Sequence, residues 1–139
     1  MPAKHHIDNI NKLIITTWDG EAIDSDLINA IMEYQEHLQC HPDYINYNEV
    51  VDFSKSTGIK LTAKGLKNIG KIASKTDKSE NKRKLALITP SNKAYFFARM
   101  YKAYRSFSRN GNKDVRVFMN ESDAFEWLKI MHDKSLRSL

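Results

Sequence analysis

A chain of 139 residues with 41% hydrophobic and 10% aromatic residues has the length of one domain and enough apolar content to bury a core without disulfides or metal, which excludes a disordered chain. No apolar run approaches the roughly 20 residues needed to span a bilayer, and the opening MPAKHHIDNINK lacks an apolar signal core. The single cysteine, Cys40, excludes an internal disulfide and suits a reducing cytoplasm, where we expect the protein to reside.

The net charge of +5 is concentrated. Residues 55–84 hold ten basic side chains against two acidic ones, a local +8 that leaves −3 on the rest of the chain. Such a block bears on partners and not on fold.

In chain order, HHIDNINKLIITTWDGE predicts a strand near His6, a turn at Asn9 and Asn11, and a second strand from Leu13 to Trp18 that ends at the turn pair Asp19-Gly20. DSDLINAIMEYQEHL predicts a helix capped by Asp24 or Ser25, with Leu27, Ile31, Tyr34 and Leu38 on one face, stopping before Pro42. YNEVVDF is the next strand. A loop of hydroxyls follows, and then a helix from about Thr62 to Ser74 with Leu66, Ile69 and Ala73 inward. RKLALITP is a short strand apolar enough to be buried on both faces. Ser91 caps a long helix through about Phe107. NGNKDVRVFM predicts a turn and a strand from Asp114 to Phe118. NESDAFEWLKIM closes as a helix capped by Asn120 or Ser122. The order β-β-α-β-α-β-α-β-α implies a single α/β domain over residues 1–139, with a mixed, mostly parallel sheet and about four helices.

The stretches NEVVDFSKSTGIKLT, LALITPSNKAYFFARMY and VRVFMNESDAFEWL resemble SpoIIAA-like proteins of the STAS superfamily along nearly the whole chain. ARMY (98–101) and VFMNESDAFEWL (117–128) are the most specific pieces. The resemblance implies a STAS-type fold, related in shape to anti-sigma-factor antagonists, and kinship with lipid-carrying CRAL-TRIO domains. The antagonists resemble D-L-S followed, five residues on, by D-S-S-G with the second serine phosphorylated. Aligned on Asp52-Phe53-Ser54, that element falls on Lys60-Leu61-Thr62-Ala63. Thr62 lands on the acceptor, but the other three residues differ, so no phosphorylation switch is expected there. Thr62 fits a helix N-cap.

Several other residues are candidates for function. Asp52 and the hydroxyls Ser54, Ser56 and Thr57 form a predicted loop at a strand's carboxyl end, the edge where open α/β sheets bind ligands. No histidine or second carboxylate is tied to Asp52, so no acid–base pair can be built and no catalytic residue is assigned. His37, Cys40 and His41 have a ligand-like spacing at a helix end, but no second cluster completes four ligands. Neither a metal nor a cofactor is expected. Gly65 and Gly70 lie inside a predicted helix, where they serve either close packing or flexing.

On that helix Lys64, Lys67 and Lys71 project opposite the apolar side. With Lys60 they form a basic face for an acidic protein surface, or for a lipid or anionic membrane surface. No DNA-reading motif or interleaved aromatic points to nucleic acid. The long helix carries two apolar stripes, one of Ala94, Phe97, Ala98 and Tyr101, the other of Phe96, Met100, Ala103 and Phe107. A helix lying on a sheet buries one. The other, with Phe96, Met100 and Phe107, is either covered by the closing helix with Trp127 or is a candidate for an apolar ligand site or a homodimer contact. The expected function is non-enzymatic binding through protein–protein interaction, with a carrier or sensor of a small apolar or lipid ligand as the alternative.

Overall fold

The structure of the chain, a computed structural model, describes residues 3–75, 83–89, 91–106 and 113–129. Strand β1 (Ala3–Asp8) pairs antiparallel with β2 (Leu13–Ile23). The Asp8 carboxylate closes the turn between them by accepting the N–H groups of Ile10 and Asn11, each at 3.0 Å. Then follow α1 (Asp24–Cys40), a 3-10 turn (Pro42–Asn46), β3 (Asn48–Lys60), α2 (Ala63–Ser74), β4 (Arg83–Ile88), α3 (Asn92–Ser106), β5 (Lys113–Phe118) and α4 (Glu121–Trp127). The sheet order is β1-β2-β3-β4-β5, with β2 to β5 parallel. The mixed sheet and four helices are those that the alternating pattern predicts. The 3-10 turn is an addition.

Strand order explains where the helices sit. Each new parallel strand is added on the same side of the last, so right-handed crossovers carry α1, α2 and α3 over one face. Leu27, Ile28 and Ile31 of α1, Leu66 and Ile69 of α2, and Ala98 and Tyr101 of α3 pack there on Leu85, Leu87 and Val115. Helix α4 follows the last strand and has no crossover to make. It covers the other face, where Ala124, Phe125 and Leu128 pack on Leu13, Val50, Ala86 and Ile88. Successive strand residues point to opposite faces. Ala86 and Ile88 therefore meet α4, while Leu85 and Leu87 meet the three-helix layer.

Two expected boundaries are corrected. Strand β2 does not end at Trp18 but runs to Ile23, and β3 does not end at Phe53 but runs to Lys60. The two extensions pair with each other, from Asp19 opposite Lys55 to Ile23 opposite Lys60, across ladder irregularities between Thr17 and Asp19 and between Gly20 and Glu21. Asp19-Gly20 therefore belongs to a bulged strand and not a turn. Gly20, at φ 97°, takes up the backbone conformation the bulge needs. Ser54, Ser56 and Thr57 accordingly lie in a strand and not in a loop, while β4 pairs with β3 only as far as Asp52.

The caps of α2, α3 and α4 follow expectation. Thr62 Oγ1 accepts the Gly65 N–H at 2.9 Å, Ser91 Oγ the Ala94 N–H at 3.2 Å, and Asn120 Oδ1 the Asp123 N–H at 2.9 Å. Helix α1 differs. Its N-cap is Ile23, without a side-chain cap, and Asp24 is its first residue. The Asp24 carboxylate instead accepts the Thr62 N–H at 3.1 Å and the Thr62 O–H at 2.7 Å. A negative charge thus sits at the N-terminus of α2, where the helix dipole favours it. Gly65 is what admits it, because a Cβ there would overlap the Asp24 carboxylate. At Gly70 an added Cβ would lie 3.8 Å from atoms of Tyr104 and Arg105 on α3, an ordinary contact. Close approach therefore requires a glycine at 65 and not at 70. Among the described residues no helix is long and apolar enough to cross a membrane.

Candidate functional site

A space remains between the sheet and the helices that cover it, lined on the helix side by the small residues Ala30, Ala73, Ala94 and Ala98 as well as by larger ones such as Leu27, Ile31, Leu66 and Phe97. This cavity has a volume of about 130 Å³. All five strands contribute to its wall: His5 from β1, Ile14, Thr16 and Trp18 from β2, Glu49, Val51 and Phe53 from β3, Leu85 and Leu87 from β4, and Lys113 from β5. Protein interiors pack at crystal-like density with few voids larger than a water. A space of this size is close to the ~150 Å³ apolar cavities that stay dry and hold benzene.

The wall is apolar over most of its area and polar at one region, and sheet geometry builds that region. His5 stands directly across the β1–β2 ladder from Thr16. The two side chains meet, His5 Nδ1 lying 2.8 Å from Thr16 Oγ1. Glu49 and Lys113 occupy inward positions on β3 and β5, where Lys113 Nζ donates to Glu49 Oε1 at 2.6 Å. Their side chains are 3% and 10% exposed, so this is a buried ion pair. Lys113 Nζ also lies 5.7 Å from the centre of the Tyr34 ring. On α3, Arg105 Nη1 donates to the Tyr101 hydroxyl at 2.7 Å, and burial raises the Tyr101 pKa above its ordinary value against the pull of Arg105. A second space of about 50 Å³ shares His5, Ile14 and Tyr34 as walls.

Burial holds the His5 imidazole below its ordinary pKa of 6.5, helped by His37 and opposed by Glu33 and Glu49. A histidine whose folded pKa is lowered takes up fewer protons folded than unfolded. Its contribution to stability is therefore complete above 6.5 and is lost as pH falls through the lowered folded value. We expect urea midpoints to fall between pH 7.5 and pH 5 more steeply for the native chain than for His5→Gln. Parallel pH profiles for the two proteins would contradict it.

The residues singled out in the sequence are distributed over several surfaces. Asp52 lies within β3, where its carboxylate accepts the backbone N–H of Ser54 at 2.8 Å and, closer still, the Ser54 hydroxyl. Lys60, at the end of β3, pairs with Glu21 of β2 at 2.8 Å. Lys64, Lys67 and Lys71 are exposed along α2, opposite the buried Leu66 and Ile69. Phe96 is 61% exposed. Met100 is partly buried against the cluster of Leu66 and Tyr101, and Phe107 lies outside the described residues. The cavity is lined by the other stripe of α3: Ala94, Phe97, Ala98 and Tyr101. The ring of His37 meets His5 edge-on and His41 stacks on Tyr44, so the two histidines of the ligand-like spacing engage different neighbours. Among the described residues, no three His, Cys, Asp or Glu side chains are grouped to hold a metal ion. At Thr62 the hydroxyl is already given to Asp24, and a phosphate there would stand against that carboxylate.

No family model matches the chain, and no curated protein matches it. Among solved structures it is similar to an uncharacterized protein of the DUF3478 family with a SpoIIAA-like fold from Shewanella loihica PV-4. The TM-score is 0.56 and the identity 15%, over 91% of each chain. At that identity the likeness shows the fold alone. The chain has the SpoIIAA-like fold that its sequence motifs imply.

Proposed function

We propose that the protein is a binding domain that holds a small, largely apolar molecule in the cavity between the sheet and helices α1 to α3. The observation that carries this reading is the cavity itself: about 130 Å³ of space with a mostly apolar wall between the sheet and helices α1 to α3, where protein interiors ordinarily leave few voids larger than a water. The size suits one aromatic ring or a short acyl chain, well below the ~300–1,000 Å³ pockets that take drug-sized ligands. The Asp52 carboxylate accepts from Ser54, and the reading is of binding alone. Benzene is the simplest probe. We expect saturable NMR shift changes at Ile14, Ile31, Leu66 and Ile69, all on the cavity wall, together with a rise in Tm that grows with benzene concentration. Unsaturable or absent shifts with an unchanged Tm would end this reading.

A second reading concerns the surface. Lys64, Lys67 and Lys71 form an exposed basic ridge on α2, and a protein partner with an acidic surface fits it. Anionic lipid headgroups are the other chemistry that such a ridge attracts, and exposed Phe96 is the point at which a second copy would seat. Reversing the three lysines to glutamate is expected to leave the fold intact, since exposed charges contribute about 0–1 kcal/mol each. The same change should abolish capture of the acidic partner, and unchanged capture by the reversed protein would reject this docking role.

A further inference from the structure

The sheet separates two helix faces of opposite charge. Helix α2 and its neighbour α3, packed on one face of the sheet, carry no acidic residue. Lys64, Lys67 and Lys71 of α2 are exposed, as are Lys93 and Arg99 of α3. Helix α4, on the other face, carries no basic residue and exposes Glu121, Asp123 and Glu126. Lys64, Lys67, Lys71, Asp123 and Glu126 make no ion pair among the described residues. With the sheet between them, the two sets of charges cannot meet within one molecule. We propose that the protein associates head to tail with further copies of itself, the acidic α4 of one copy seating on the basic α2–α3 face of the next. The proposal rests on the basic ridge read above and names its partner as a second copy of this chain.

The two sets of charges match in extent. At roughly 1.5 Å per residue, Lys64 to Lys71 spans about 10 Å of α2 and Glu121 to Glu126 about 8 Å of α4. Asp123 and Glu126 project away from the buried Ala124, Phe125 and Leu128, as the helical period requires. Two strand cations beside α4, Lys84 and Arg116, are engaged by Trp127. They lie over its ring, 5.2 and 5.0 Å from the centre, and Lys84 Nζ donates to the Trp127 carbonyl at 3.0 Å. Each face also presents one large apolar side chain. These are Phe96 on α3 and, directly ahead of the Asn120 cap of α4, Met119, which is 48% exposed. Aromatic residues and methionine are among the types enriched in interfaces.

The two faces differ, so the contact is heterologous. A copy bound through its α4 still offers its own α2, and association grows with concentration. A two-fold pair through the α2–α3 face is a poorer match. It would set lysines against lysines, and like charges juxtaposed across an interface are costly. The net charge of +5 opposes growth, and exposed ion pairs contribute little each. The assembly is therefore weak, and it is lost at about 1 M salt, where the Debye length is about 3 Å.

Sedimentation equilibrium of the intact chain at low salt tests the proposal, with two variants that each neutralise one face: Lys64→Gln/Lys67→Gln/Lys71→Gln and Asp123→Asn/Glu126→Gln. The native protein is expected to gain mass with concentration above the 16.1 kDa of one chain and to return to it at about 1 M salt. Each variant alone should associate about tenfold more weakly or less still. Mixed in equal amounts, the two should form a one-to-one pair that grows no further, because each supplies the face the other lacks. Glu126→Gln alone leaves the bonds between Asn120 and Asp123 in place and should still weaken association about twofold. A native protein that stays monomeric, association lost in only one of the two variants, or variants that do not pair when mixed would overturn the proposal. Titration with poly-L-glutamate separates that failure from failure of the ridge. Poly-L-glutamate bound by a monomeric native protein, and not by the triple lysine variant, would leave the ridge reading standing. Absence of binding would remove both.

Discussion

Lys113→Met is expected to lower the stability of the protein by about 3–5 kcal/mol, the cost of leaving a buried carboxylate without its partner. Lys113 and Glu49 come from strands that do not touch, β5 and β3 with β4 between them, and meet at 2.6 Å with side chains 3% and 10% exposed. Methionine keeps the length and most of the apolar stem of lysine, so packing against the Tyr34 ring survives. What changes is the charge. Glu49 would then sit beside an apolar cavity with no cation among the described residues at hydrogen-bonding distance. The double variant Glu49→Leu/Lys113→Met removes both charges. It should recover most of the loss, because a buried ion pair contributes little net stability over apolar residues of similar volume. Urea denaturation of the two single variants and the double one measures the coupling directly. A loss under about 1 kcal/mol in Lys113→Met would mean that Glu49 finds water or another donor without effort.

Gly65→Ala is expected to destabilise, against the usual sign for a glycine inside a helix. Replacing such a glycine by alanine ordinarily gains about 0.5–1 kcal/mol. Here the new Cβ would overlap the Asp24 carboxylate. The carboxylate must withdraw, and with it go its two hydrogen bonds from Thr62 at 3.1 and 2.7 Å. These bonds join the start of α1 to the start of α2. Two of them lost, both solvent-exposed, amount to about 1–3 kcal/mol. The test is a sign reversal. In an Asp24→Ala background the obstruction is gone, and Gly65→Ala should become stabilising by its ordinary helical gain. Thermal melts of the four proteins decide it. Destabilisation of equal size in both backgrounds would refute the role given to Asp24.

Much of the fold could be read from local pattern. Each strand–helix alternation carries its own period, and each capping residue acts on a backbone N–H three residues away. The element order and the caps at Thr62, Ser91 and Asn120 were therefore visible in short windows of sequence. The boundaries of β2 and β3 were not. Asp19-Gly20 and Ser54-Lys55-Ser56-Thr57-Gly58 have turn-like composition, and only their pairing with each other makes them strands. Pairing satisfies backbone groups that a loop would leave to solvent, and it outweighs the local preference of glycine and serine.

The cavity was the least legible feature, for a related reason. Its wall takes residues from all five strands and three helices, so no window of sequence contains it. One signal was present and went unread. Glu49 and Lys113 share inward positions with Val51 and Val115, and a charge at an inward position requires a partner. The sequence on its own determined the α/β class, the helix faces and the basic ridge on α2, because periodicity and charge are local properties. Only the tertiary structure decided which stripe of α3 faces the sheet, that Gly65 makes room for Asp24, and that one cavity draws its wall from every strand. Those depend on which distant residues the crossovers bring together, and distance along the chain does not encode it.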